Sequence, residues 1–460
     1  MSFLHPVCRP ANATKVLFLQ GPPSDFARRL GAELRARGAE VWRINLCLGD
    51  WLFWRGAGSC SYRGSLAAWP AWLERFCRAR GITDILYFGD RIPYHVAARE
   101  VGERLGLNVT SYEYGYLRPD WIVAEPGGQG AYSRLTSDPR RLRAAAWGLP
   151  RPDLARCFAF PPEAEARGDV LYHLSNYLCW MLYPGYRRDR RHNPVVEYLS
   201  YLPRHRRARR GVGEARALAR RLRIGGTPFF LVALQMQGDY QIRANSPYRD
   251  QRAFLAEVLA SFARAAPSGA ELVVKLHPHD NGLVPWRRFL ARRARALGLA
   301  GRVQVLDGGA LEDWALRARG LVTVNSTAGL MALARRCPVR VAGVAVYDMP
   351  GLTHQGGLDG FWRAPAPPDP ELLADVLRVF AAHLHVRGDF YGTEGMRKAV
   401  TALADRLLEH GAPPDIFDDA PPRLARARAI GVPVHGCERG DRPGYMQGAA
   451  QAPMPEAVDV

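Results

Sequence analysis

The chain lacks most of the signatures that would place it at once. The opening MSFLHPVCRPANATK has no apolar core, so no secretory signal is read there. No stretch approaches the ~18 consecutive apolar residues that span a bilayer, so no membrane-crossing helix is expected. The eight cysteines, Cys8, Cys47, Cys60, Cys77, Cys157, Cys179, Cys337 and Cys437, are scattered without a CxxC pair or zinc spacing. That argues against a disulfide framework and for a reducing compartment. There is no GxGxxG after a strand, hence no dinucleotide fingerprint, and no Asp-x-Asp pair follows a strand. No repeat is visible. RRM, KH and helix-turn-helix patterns are missing too, which leaves nucleic-acid binding with charge alone in its favour. The expected location is the cytoplasm, with a membrane surface still open.

What is abundant is arginine. The formal net charge is +19, while lysine occurs only at Lys15, Lys275 and Lys398. Such a balance attracts phosphate or an anionic membrane and says nothing about fold. With 460 residues and 48% hydrophobic content, two or three domains with real cores are expected.

The fold class read from the pattern is α/β, two Rossmann-like units facing a central crevice. The first, residues 1–160, opens with an apolar run Val16 to Leu19, a Gly21-Pro22-Pro23 turn, a helix Asp25 to Gly38 and a strand through Asn45. The aromatic stretch Leu48 to Gly56 reads as a loop. A helix Trp69 to Arg80 follows, then a strand Thr83 to Phe88 ending at Gly89-Asp90-Arg91. A helix Val96 to Gly106 leads to a strand Leu107 to Tyr112, which ends at Glu113-Tyr114-Gly115. The second unit, 226–390, starts with Pro228 to Leu234 and ends that strand at Gln235-Met236-Gln237-Gly238-Asp239. Its centre is ELVVKLHPHDNG, Glu271 to Gly282, a buried strand that stops on His277-Pro278-His279-Asp280. Strands Val303 to Leu306, Gly320 to Val324 and Pro338 to Val344 complete it. A helix spans 391–412, and 413–460 reads as a mostly disordered tail in which Asp415, Asp418 and Asp419 are solvated.

Residues 161–225 differ in character. An aromatic segment from Val170 is followed by Arg187, Arg188, Arg190 and Arg191, then by Arg204, Arg206, Arg207, Arg209 and Arg210. One reading is an interfacial element with Tyr177, Trp180 and Tyr183 at headgroup level and arginines on anionic lipid. The other is a connector whose aromatics pack on the core and whose arginines are solvated. The pattern supports both.

In open α/β sheets ligands bind beyond the carboxyl ends of the strands. His277 there can give a ring N–H to a phosphate and share a proton with a leaving group. Asn325-Ser326-Thr327 ends a strand and opens a helix read through Arg336, a place for an anion or for an ordinary helix cap. His277 and His279 bring no third ligand, so no metal is expected. His354-Gln355-Gly356-Gly357 is either a nucleotide contact or a plain loop.

Two such units facing a crevice resemble the GT-B plan. The stretches VLFLQGPPSDFARRL, INLCLGDWLFW, TDILYFGDRIPYH, EYGYLRPDW, QMQGDYQIRANS, VVKLHPH, VNSTAGL and HQGGLDGFW, in this order from Val16 to Gly395, resemble the capsule polysaccharide biosynthesis/export proteins of the KpsS/LipB type. The resemblance implies a retaining β-Kdo glycosyltransferase. It would move Kdo from CMP-Kdo to a phosphatidylglycerol-type lipid or a poly-Kdo linker, peripheral on the inner face of the inner membrane. It implies His277 and Pro278 as an HP pair, and Asn325, Ser326 and Thr327 at the phosphate. No cofactor or metal is implied; other capsule transferases and the ABC exporter are the implied partners, and nucleic acid is not. Related enzymes carry an acid where Tyr114 stands. Glu113 is therefore ranked first as the catalytic carboxylate, before Asp239 and Asp90. Arg118, Arg243 and Lys275 are candidates for the Kdo carboxylate, and Gln237, Asp239 and Arg243 for shaping the donor side. The alternative is a non-catalytic assembly component that retains the GT-B shell.

Overall fold

The computed structural model describes residues 14–188, 194–201, 204–236, 238–408 and 415–434. Its strands are β1 (Lys15–Phe18), β2 (Glu40–Asn45), β3 (Ser59–Ser61), β4 (Asp84–Phe88), β5 (Asn108–Tyr114), β6 (Trp121–Pro126), β7 (Phe229–Ala233), β8 (Glu271–Lys275), β9 (Val303–Leu306), β10 (Gly320–Thr323), β11 (Val339–Val341) and β12 (His385–Arg387). They form a seven-stranded sheet ordered β12-β6-β5-β4-β1-β2-β3 and a five-stranded sheet ordered β11-β10-β7-β8-β9. The second sheet is wholly parallel; in the first, β6 runs antiparallel to β5 and β12 antiparallel to β6.

The strands read as apolar runs because both faces of each sheet are covered. In the first sheet Leu17, Ile85 and Val109 face a cluster with Trp69, Leu73 and Val101, while Val16, Phe18 and Leu86 face Phe26, Leu30 and Leu34. In the second, Phe230, Val232, Leu272 and Val274 pack on Phe254, Phe262 and Trp362. In each sheet the chain runs outward from one strand and then returns to its other side, beside β1 in the first and β7 in the second. Ligand crevices form where strand order reverses in this way. At one side a shared apolar cluster joins the domains, with Leu142 and Ala146 of helix Pro139–Ala146 against Leu372, Leu373 and Val376 of helix Pro370–Val379.

The boundaries depart from the sequence reading in several places. Leu48 to Gly56 is not a loop throughout: Leu48–Phe53 is a helix, with Asp50 buried against Arg43 at 3.2 Å. The second unit ends before 390, because β12 and helix Thr393–Leu408 return to the first domain, where Met396, Val400 and Leu403 pack with Phe26, Leu30 and Leu34. Residues 415–434 are ordered rather than tail. Helix Leu424–Ala429 packs on Tyr132 and Val344, and Arg423, buried, donates to the Leu135 and Val346 carbonyls. Asp415 and Asp418 pair with Arg141. Residues 435–460 lie outside the described residues.

The connector divides between the domains. Its first helix, Pro162–Leu178, turns Gly168, Tyr172 and Asn176 inward. The Tyr172 hydroxyl accepts from Gln20 at 2.7 Å and donates to Asp50 at 3.1 Å, and Asn176 accepts the Gly49 amide at 2.8 Å. Tyr183 is buried with its hydroxyl on Ser61 at 2.8 Å, so it is not at an outer surface as one reading expected. The long helix Arg204–Ile224 belongs to the second domain, with Ala215 and Leu222 in its core and Arg221 bidentate on Glu271 at 2.6 and 2.7 Å.

Gly168 has no side chain because none fits: a Cβ there would stand 2.1 Å from the Pro23 carbonyl oxygen. Gly168→Ala must push the first connector helix off the Gly21-Pro22-Pro23 turn. A loss of about 1–3 kcal/mol in unfolding free energy is expected from urea titration.

Candidate active site

A cavity of about 440 Å³ lies between the two sheets. Its first-domain wall is the end of β5 and the turn after it, with Glu113, Tyr114, Tyr116 and Arg118. Its second-domain wall comes from three strand ends: Gln235, Asp239, Tyr240 and Gln241 after β7, His277 after β8, and Asn325, Ser326 and Thr327 after β10. Each strand delivers polar residues where its apolar run stops, so hydrogen-bonding groups converge on a crevice also lined by Tyr114, Tyr116, Tyr240 and Tyr347.

Glu113 is the junction of the two walls. It accepts from the Tyr240 hydroxyl at 2.6 Å and from the Gln241 amide at 3.4 Å, both from the opposite domain. Desolvation pushes its carboxyl up to about 7, against the Tyr240 bond and with help from the charges of Asp239 and Asp90. Near neutral pH the group can therefore either give or take a proton. Asp239 caps the short helix Tyr240–Ala244, accepting from Gln241 N at 2.9 Å, and also takes a bond from Gln235 at 3.1 Å. Burial raises its carboxyl as well. Beneath Tyr116 lies Glu125, fully buried, bonded by Tyr116 and Ser133 and pushed up to about 7 by desolvation.

The second-domain wall is tied by amides. Gln235 donates to Asn325 Oδ1 at 2.8 Å, and Asn325 donates to the Gln241 carbonyl at 3.0 Å. Asn325 thus braces the wall, with Ser326 and Thr327 beside it on the cavity. The helix they open is Ala328–Leu333, shorter than expected, so its dipole contributes less than a long helix would. His277 Nδ1 accepts the His279 amide at 3.1 Å, which places the proton of the neutral ring on Nε2.

Several expected contacts are located elsewhere. Asp90 is 1% exposed behind the wall, accepting the Gln129 amide at 2.9 Å, and does not line the cavity. Gly128, at φ +148, lets that loop close over it. Lys275 is buried and donates to the Gly308 and Gly309 carbonyls at 2.9 and 2.8 Å, a strut rather than a ligand contact. Arg243 is exposed and Pro278 stands in the turn outside the lining. The His354 to Gly357 stretch is a loop away from the cavity, with His354 against the Phe361 ring. Gln237 lies outside the described residues. Arg118 lines the crevice, its guanidinium 5.3 Å from the Tyr114 ring centre. Tyr114 donates its hydroxyl to Glu165 of the first connector helix at 2.6 Å.

The sequence reading missed Tyr240, Gln241, Tyr116, Glu125 and Glu197. The first two stand in QMQGDYQIRANS, where attention fell on the charged residues instead. Glu125 and Glu197 carry no local signal. Among the described residues no group of three or more His, Cys, Asp or Glu side chains could hold a metal ion.

Two doubly wound sheets meeting over this crevice define a protein of GT-B-like fold. The chain belongs to the capsule polysaccharide biosynthesis protein family, whose model matches residues 83–391. It is 32% identical over 361 residues to the capsule polysaccharide export protein KpsS of Escherichia coli, covering 78% of this chain and 92% of that one. It is also 32% identical over 402 residues to the capsule polysaccharide modification protein LipB of Neisseria meningitidis serogroup A, covering 83% and 92%. Among solved structures it aligns with a Thermosulfurimonas dismutans KpsC β-Kdo 2,7 transferase at 16% identity over 85% of this chain and 99% of that one. The TM-score of that alignment is 0.42.

Glu113 keeps its proton to about pH 7 in the folded chain, whereas an unfolded glutamate loses it near ~4.3. The folded state binds the extra proton between those values, so this group's contribution to stability falls as pH rises through that window. Glu113→Gln should therefore be stabilised relative to wild type at pH 8 and not at pH 4, read from urea midpoints.

Proposed function

We propose that the protein is a glycosyltransferase that moves Kdo from CMP-Kdo, with retention, to a phosphatidylglycerol-type lipid or a growing poly-Kdo linker. It would act peripherally on the inner face of the inner membrane, without a metal or other cofactor, beside other capsule transferases and the ABC exporter. The observation that carries this reading is the opposition across one crevice. A carboxyl poised near neutrality, Glu113, belongs to one domain, and His277, Ser326 and Thr327 belong to the other.

In this reading the donor's phosphate rests against His277 Nε2–H and the Ser326 and Thr327 hydroxyls. The bond from the anomeric carbon to the phosphate oxygen breaks, and its electron pair leaves with CMP. Donors aimed at that oxygen stabilise the developing charge. Arg118, the guanidinium at the crevice, pairs with the Kdo carboxylate. Glu113 in its carboxylate form attacks the anomeric carbon from the side opposite the phosphate. The acceptor hydroxyl then displaces it, giving its proton to the departed phosphate, so that two inversions amount to retention. Tyr240 and Gln241 hold the carboxylate in place. Family membership and the run of motifs support the capsule setting.

One observation favours a second reading, a capsule assembly component without turnover. Tyr114 stands where related transferases carry an acid, and its hydroxyl is engaged by Glu165.

The test is incubation with CMP-Kdo and short-chain phosphatidylglycerol, with the product read by mass. Transfer is expected, and His277→Ala should lower kcat/KM by roughly 10²-fold or more. CMP binding without transfer by the wild type selects the second reading. The rate should rise with pH through about 7, the value at which Glu113 deprotonates, and Glu113→Gln should abolish that limb.

A further inference from the structure

A short helix, Pro194–Ser200, borders the crevice through Glu197. On one side Tyr198 donates to Asp169 of the first connector helix at 2.8 Å. On the other, Tyr201, just past its end, donates to the His279 carbonyl at 3.2 Å, two residues from His277. Glu197 of this helix lines the cavity, while Val195, Val196 and Leu199 are 41%, 50% and 59% exposed. One side of the helix therefore looks into the site and the other is apolar and open.

That open side does not stand alone. Pro162–Leu178, on which the short helix is tied, buries Tyr172 and Asn176 but exposes Leu171 and Leu178, seven residues apart and so on one face. Trp180 and Met181 continue the apolar strip at 57% and 72% exposure. Soluble proteins keep such contiguous strips small unless something covers them.

The rim identifies what covers it. Arg188 lies over Tyr177 at 5.3 Å, Arg63 over Tyr183 at 5.7 Å, and Arg55 over Trp51 at 5.2 Å. These arginines and Arg187 are exposed. Asp169 of the same helix is engaged by His173 and Tyr198. Apolar side chains bordered by aromatic-supported guanidinium groups match the acyl boundary and headgroups of an anionic bilayer. Among the described residues no helix is long and apolar enough to cross a membrane, so this face can lie on a bilayer but not span it.

We infer that this strip rests on an anionic lipid surface, with the crevice opening into the headgroup layer along Pro194–Ser200. The acceptor lipid then enters past Glu197 without leaving the bilayer. The entry route rests on the lipid-acceptor reading above; the surface itself does not.

The test is flotation of the full chain with phosphatidylglycerol-containing vesicles and with phosphatidylcholine vesicles. Wild type should float with the first and not the second. Two independent variants, Leu178→Ser/Trp180→Ser/Met181→Ser and Arg63→Glu/Arg188→Glu, should each bind at least ~10-fold more weakly with unchanged melting temperature. Hydrogen exchange should show vesicle-dependent protection over 194–200. Equal flotation of wild type and both variants overturns the inference. So does protection that spares 194–200, or a solution dimer that the variants dissolve. Flotation needs no sugar donor, so a failure of Kdo transfer would leave this result standing, and the reverse also holds.

Discussion

The bond from Tyr240 to Glu113 is the point on which the crevice depends. A carboxyl at a strand end of one domain is gripped by a hydroxyl from the other, in a space where water is largely displaced. That displacement both strengthens the bond and raises the carboxyl's affinity for its proton. The Gln235–Asn325 amide ties keep Tyr240 in register, and the shared apolar cluster around Leu142 and Val376 keeps the domains apart by the width of the cavity. Removing any of these would leave the residues in place but not facing one another.

Most of the fold was legible because parallel strands buried on both faces must be apolar throughout, and such runs stop abruptly at the crevice. β1, β4, β7, β8 and β10 were all visible in that way. β6 and β12 were not. Both are antiparallel and recruited by a neighbouring strand outside the βαβ alternation, and the three residues His385–Arg387 carry no apolar run at all. The order in 415–434 was hidden for a related reason. It comes from Arg423 reaching two carbonyls and from a few apolar contacts, within a segment whose composition resembles a tail.

The site was legible in outline and not in detail. His277, Glu113, Ser326 and Thr327 reach the cavity because a strand end has few other directions to face. Asp90 and Lys275 also end or edge strands, yet each is claimed by backbone groups of another segment, Gln129 for one and Gly308 and Gly309 for the other. Nothing within a few residues of either reveals that. Glu113 likewise owes its proton affinity to burial between the domains and to the charges of Asp239 and Asp90, none of which its own neighbours along the chain reveal.

The return of β12 and helix Thr393–Leu408 to the first domain bears on synthesis. The domain that leaves the ribosome first is the one completed last. Until the second domain has been made, β6 is an open sheet edge and the side of helix Phe26–Ala36 that meets Met396, Val400 and Leu403 is uncovered. Such surfaces invite pairing with other chains. The second sheet, contained between β7 and β11, has no such debt and can close on its own. The nascent protein thus passes through a stage in which its later half is sound and its earlier half still open. A chaperone that shields the β6 edge would act on the N-terminal domain after most of the chain has emerged.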